Sequence, residues 1–110
     1  MDDEVINLYR AMGAEEFENV MLLKQFFIHK SKAEVKYFGL DFDETLQFAN
    51  KAFNMDLVAV VEVAISKAVI DKIGDFTHVD PFLFKSGTVE IQPEELDEFN
   101  RAIIKIIHKI

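Results

Sequence analysis

Cysteine is absent from this 110-residue chain, which removes disulfides and every thiolate-based zinc site and fits a reducing compartment. Histidine is sparse and scattered. His29, His78 and His108 never form a His-x-x-x-His pair on a helix, so a sequence-local metal site has no support. No apolar run reaches the roughly 18 residues of a membrane-spanning helix; the greasiest stretch is broken by Glu62 and Lys67. Positive charge is also short, 12 Lys and Arg against 20 Asp and Glu, for a formal charge of −8. That balance argues against general nucleic-acid binding, which depends on neutralising phosphates. There is no glycine-rich phosphate loop, no Ser/His/Asp spacing, no internal repeat and no low-complexity tract or linker. The opening Met1-Asp2-Asp3-Glu4 is acidic where a secretory or transit peptide would be basic. The expected setting is the cytoplasm, without membrane or nucleic-acid partners.

What is present is apolar bulk. Half of the residues are hydrophobic and eleven are Phe, enough for a core in one domain spanning 1–110. Residues 57–70 are apolar on almost every side when projected at helical spacing, with only Glu62 and Ser66 as a thin polar strip. A helix apolar all round must be covered all round. This predicts a buried central helix over 57–73, stopped at Gly74. Further helices are expected over 3–12 (Val5, Leu8, Met12, then Gly13), over 15–30 (Phe17, Val20, Met21, Phe27, Ile28) and from Asp41 (Phe42, Leu46, Ala49, Phe53). Pro93 opens the last one, over 93–110, with acids in its first half and Arg101, Lys105, His108 and Lys109 in its second, as the helix dipole favours. Val35–Phe38 and Thr88–Ile91 have strand composition and would pair at most as a short ribbon. The expected fold is therefore mainly α, a compact bundle of roughly four to five helices. Its core should hold Phe17, Val20, Phe27, Leu46, Phe53, Val61, Ala64, Ile65, Phe99, Ile103 and Ile107.

Acids cluster where helices are expected to begin, at 2–4, 15–18, 41–44 and 94–98. Carboxylates near helix N-termini complement the macrodipole; an acidic surface also suits a basic partner. Asp41 followed by Glu44 has capping-box spacing.

Two fragments resemble the haloacid-dehalogenase-like phosphatases. Phe38-Gly39-Leu40-Asp41-Phe42-Asp43-Glu44-Thr45 is similar to their nucleophile loop, and Gly74-Asp75-Phe76-Thr77-His78-Val79-Asp80 to their magnesium motif. The resemblance implies Asp41 as nucleophile, Asp43 as general acid/base, and Asp75 and Asp80 as supports for Mg²⁺. The chain departs from that pattern in two ways. Glu44 stands at the usual Gly, and residues 46–73 carry helical patterns where the family places parallel strands. The same residues serve as a helix cap (Asp41, Glu44) and a helix stop (Gly74).

Other polar residues stand out locally. Glu62 inside the apolar run is either a buried base with raised pKa or a surface residue on the polar strip near Ser66. Lys24, His29, Lys30, Lys32 and Lys36 make a basic stretch suited to an anion or protein contact, or to a solvated helix end. His78 between Asp75 and Asp80 lacks a fourth ligand. No catalytic, cofactor-binding or metal-binding residue is assigned on these grounds. The reading that follows is a small, acidic, non-enzymatic protein-binding module: a regulator, inhibitor, immunity-type factor or assembly chaperone. An Mg-dependent phosphohydrolase is the alternative. Ile104, Phe26 and the far side of the central helix exceed what one small core covers, which predicts a homodimer with Ile104 or Ile110 facing the second copy.

Overall fold

The computed structural model describes residues 4–27, 35–52, 59–77 and 84–110. The chain forms an α/β fold, not a helical bundle. In order it runs β1 (Val5–Met12), α1 (Ala14–Leu23), β2 (Lys36–Gly39), α2 (Phe42–Ala52), β3 (Ala59–Ser66), α3 (Lys67–Ile73), β4 (Asp75–Thr77) and β5 (Thr88–Ile91). A 3-10 turn (Pro93–Glu95), α4 (Leu96–Ala102) and β6 (Ile103–His108) complete it. The six strands make one sheet in the order β4-β5-β2-β1-β3-β6, and every neighbouring pair is antiparallel.

The expected central helix over 57–73 is β3 followed without a break by α3, with residues 57 and 58 outside the described part. Lying between β1 and β6, β3 is covered on both faces: Val60, Val61, Val63 and Ile65 are fully buried and Ala64 nearly so. A strand buried on both sides has no polar alternation and reads as a continuous apolar run. Its β-branched residues favour the pleated strand. The helix expected over 3–12 is β1, paired along its whole length with β3 from Val5 opposite Ser66 to Met12 opposite Ala59. The C-terminal helix expected over 93–110 is helical only to Ala102; Ile103-Ile104-Lys105-Ile106-Ile107 is strand. The pairing that composition left open between 35–38 and 88–91 is present, Lys36 opposite Ile91 to Gly39 opposite Thr88, but as an inner pair of the larger sheet and not as a separate ribbon.

Helices α1, α3 and α4 cover one face. There Leu8, Phe38, Val61, Val63, Ile65, Val89 and Ile91 meet Val20, Ile70, Leu96 and Phe99. Helix α2 lies on the other face, where Ala49, Phe42 and Leu46 pack on Tyr9, Ala11 and Val60. Three connections (β2-α2-β3, β3-α3-β4 and β5-α4-β6) join strands that run parallel across intervening ones. Their directions and faces give all three one hand, as crossover chirality requires.

Several core assignments shift. Phe27 is 46% exposed while Phe26 is fully buried. Helix α1 stops at Lys24, which adopts a left-handed conformation (φ 57°), and the chain beyond it turns Phe26 inward. The side-chain amide of Asn100 clasps Phe26, accepting from its N–H (2.8 Å) and donating to its C=O (2.9 Å). Phe17, Leu46, Ile103 and Ile107 are only partly buried, and Phe53 is outside the described residues. Gly74 does end α3, but in extended conformation. A Cβ there would lie 2.8 Å from the Ile70 carbonyl oxygen and 2.8 Å from Val89 Cγ1, so close approach explains the glycine. Gly13 precedes α1 and does not end a helix.

Candidate functional site

The turn from β2 into α2 is built locally. The Asp41 carboxylate accepts a hydrogen bond from the Glu44 backbone N–H (3.0 Å), satisfying a donor the first helical turn leaves open. Thr45, buried at 2% exposure, donates its hydroxyl to the Asp41 carbonyl (2.9 Å). Gly39 lies directly beneath: a Cβ there would collide with Thr45 Oγ1 and lie 3.1 Å from the Phe84 ring. Strand β2 therefore carries glycine where α2 and the segment before β5 close over the sheet.

That segment is fastened to α2. The Glu44 carboxylate accepts from both the backbone N–H (3.0 Å) and the hydroxyl (2.8 Å) of Ser86. Gly87, at φ 94°, donates its N–H to the Phe84 carbonyl (3.0 Å), closing a tight turn that only glycine makes without strain. Phe84 is set against Phe48 of α2 with ring centroids 5.1 Å apart.

Below these rings the sheet has a seam. Pairing between β1 and β2 is confined to Tyr9 opposite Gly39, whereas β1 and β3 pair end to end. The Tyr37 carbonyl accepts from the Arg10 guanidinium (3.0 Å). A pocket of about 190 Å³ opens over the seam, lined by Tyr9, Ala11, Tyr37, Gly39, Thr45, Phe48, Phe84 and Thr88, with Arg10 and Phe38. The Tyr9 hydroxyl donates to Glu62 (2.8 Å). Burial, then the hydrogen bond and negative charge of Glu62, push this phenol up to about 12. Glu62 is thus a partly buried acceptor for Tyr9.

On the opposite face Arg10 grips Glu16 with two nitrogens (2.6 and 3.1 Å), and Lys36 Nζ lies 3.6 Å from the same carboxylate. Burial alone would raise the Glu16 carboxyl. Hydrogen bonding and attraction to Arg10, with Lys36 behind, outweigh it and hold the group below the ordinary carboxylate range. Lys36, expected in a solvated basic stretch, is buried. Lys24 is exposed, and His29, Lys30 and Lys32 lie outside the described residues.

The phosphatase-like fragments do not converge. Asp75 pairs with Glu90, and Glu90 with Tyr37, so Asp75 is level with Tyr37 two strands away, about 10 Å across the sheet. Asp41 lies beyond the other end of β2 with its carboxylate engaged in the cap. His78 and Asp80 are outside the described residues. Among the described residues no group of three or more His, Asp or Glu is placed to hold a metal ion, and no helix is long and apolar enough to cross a membrane.

A second surface lies at the β6 edge. Ile104 is the extra residue of a bulge, since Ala64 pairs with Lys105 and Ile65 with Ile103. It is 58% exposed, and Ile110 is 51% exposed. His108 packs against Phe17 in a tilted contact, 4.6 Å between ring centroids. Sequence reasoning named both isoleucines but not the edge that presents them, and it missed the pocket, whose walls come from four separate stretches of chain. No family model matches this sequence, and no curated protein or solved structure matches it either.

Proposed function

We propose that this is a non-enzymatic protein-binding module that works through the open β6 edge of its sheet, and that a second copy of the chain is its first partner. The supporting observation is the pairing alternation along β6. Glu62 and Ala64 stand opposite Ile107 and Lys105, and Val60 exchanges hydrogen bonds with Lys109 and Ile110. In an antiparallel ladder those β6 residues spend their main-chain groups on β3, so Ile106 and His108 turn theirs to the open edge. Among the described residues no strand pairs with that outer side, and an unpaired edge is a template for another strand. A two-fold axis through Ile106 would set Ile104 opposite His108 and Lys105 opposite Ile107 of the other copy. No lysine then directly faces a lysine. The formal charge of −8 favours further partners with a basic surface, by steering and complementarity.

Sedimentation velocity at micromolar concentration tests the reading. The expected result is a dimer that Ile104→Lys converts to a folded monomer with unchanged circular dichroism. A wild-type monomer throughout would overturn the self-association. Mg²⁺-dependent phosphatase activity abolished by Asp41→Asn would overturn the non-enzymatic reading.

A further inference from the structure

We infer that the pocket over the β1–β2 seam is a binding site for a small neutral aromatic molecule of one or two fused rings carrying a single N–H or O–H donor, of the indole or phenol class. This is independent of the β6 edge, which lies on the far side of β3. Size sets the first limit. A dry engineered cavity of about 150 Å³ takes benzene, and this one, at about 190 Å³, has room for a second ring or a substituent and little more.

The walls set the ring character. Phe48 and Phe84 come from α2 and the clamped turn, and Tyr9 and Tyr37 from the sheet, so flat apolar surface surrounds the space. Faces and edges of this kind favour another aromatic ring in offset or edge-on contact. Arg10, the one charged side chain among the described lining residues, is already held by Glu16 and the Tyr37 carbonyl, so a carboxylate or ammonium would lose its hydration without a free counter-ion.

The polar groups set the donor. The Thr45 hydroxyl gives its proton to the Asp41 carbonyl (2.9 Å), so towards a ligand it acts as an acceptor. Set beside Gly39 in the wall, it therefore calls for a ligand N–H or O–H. The site is built before a ligand arrives: Glu44 holds Ser86 through two hydrogen bonds, which fixes Phe84 over Gly39. Such preorganisation lowers the ordering cost of binding.

2-Naphthol is a suitable probe, because the chain has no Trp and the naphthol is excited to the red of tyrosine. Its emission should show saturable 1:1 binding to the intact protein. Phe48→Ala should weaken it about tenfold by removing one ring wall. Glu44→Ala, which cuts the clamp and leaves the α2 core untouched, should also weaken it. Thr45→Val should cost about fivefold for 2-naphthol and nothing for 2-methoxynaphthalene, which has no donor. Should Phe48→Ala fail to fold, the Glu44 and Thr45 variants decide. Absence of saturation with folded wild-type protein, or affinity unmoved by every folded variant, would overturn the assignment. Equal losses for both probes in Thr45→Val would overturn the donor requirement.

Discussion

Replacing Phe99 by Ala is the sharpest test of how the helices sit on the sheet. Phe99 is fully buried on α4, and its ring centroid lies 5.0 Å from that of Phe38 on β2 and 5.8 Å from that of Phe26. Phe26 and Phe38 meet at 5.3 Å, edge to face. Three separate stretches of chain thus converge on one ring triad. A buried Phe→Ala change costs about 3–5 kcal/mol through lost transfer energy and the residual cavity, and the upper half applies where two ring partners are lost together. Each aromatic pair adds about 0.5–1.5 kcal/mol beyond burial, so Phe99→Leu, which keeps an apolar plug, should cost about 1–3 kcal/mol. A domain of this size has about 5–15 kcal/mol in total, so the alanine variant remains folded with little reserve. Urea unfolding at a slope of about 2 kcal/mol/M converts the loss into a midpoint shift of about 2 M. A double-mutant cycle of Phe99→Ala with Phe26→Ala should return a coupling of about 0.5–1.5 kcal/mol. If Phe99→Ala shifts the midpoint by less than about 0.5 M at unchanged slope, the triad is not the centre of this face and the seating of α4 is wrong.

Asp41→Ala should lower stability by about 1 kcal/mol through loss of the α2 cap, and Asp41→Asn, which keeps an acceptor, by a few tenths; equal effects in urea unfolding would remove the cap assignment. Tyr9 should titrate abnormally. In the Tyr37→Phe variant it becomes the sole tyrosine of the chain, and its phenolate absorbance should reach midpoint at about 12 against the ordinary 10.0. Because the folded value lies above the unfolded one, the stability it contributes is complete below pH 10 and is lost as pH rises through about 12. In that background Glu62→Gln should bring the midpoint down, and a midpoint near 10 with Glu62 intact would show that Tyr9 is neither buried nor bonded to Glu62.

The sequence misleads about fold for reasons that particular residues explain. In β1 the face towards α1 carries Ile6, Leu8, Arg10 and Met12, and Arg10 interrupts what would otherwise be a two-residue apolar period. A buried-face arginine is tolerated because Glu16 neutralises it at 2.6 Å, a partner that no periodicity analysis sees. Residues 59–73 and 96–108 each join a strand and a seven-residue helix with no intervening turn. Without Gly or Pro at the junction, each pair reads as one long helix. The clue was compositional. Val60, Val61, Val63 and Ile65, and the isoleucines at 103, 104, 106 and 107, are β-branched and dense enough to favour strand. The helix expected over 93–110 comes from wrapping that strand onto a helical wheel.

Local features survive this error because local physics makes them. The Asp41 cap needs only neighbours in sequence, and the strand composition of 35–38 and 88–91 is written in adjacent residues, although the two strands form by pairing with each other across the chain. The pocket is not local: Glu44 and Ser86 are separated by 42 residues, and Gly39 owes its identity to Thr45 and Phe84 folding over it. The same distinction explains the phosphatase-like fragment. A strand entering Gly-x-Asp-x-Asp-x-Thr describes a tight strand-to-helix turn, and β2 and α2 make that turn, with Asp41 as cap and Thr45 as its brace. Carboxylate chemistry on phosphate requires something the turn does not contain, a second acidic group brought alongside from a neighbouring strand. The strands beside β2 are β1 and β5, both antiparallel to it, so no strand next to β2 ends where β2 does and none delivers a carboxylate beside Asp41 from its own C-terminal end. Asp75 enters the sheet at the opposite end. Geometry that is local can be read from seven residues; an acidic pair of that kind depends on strand order, which the sequence carries only in its full set of long-range pairings.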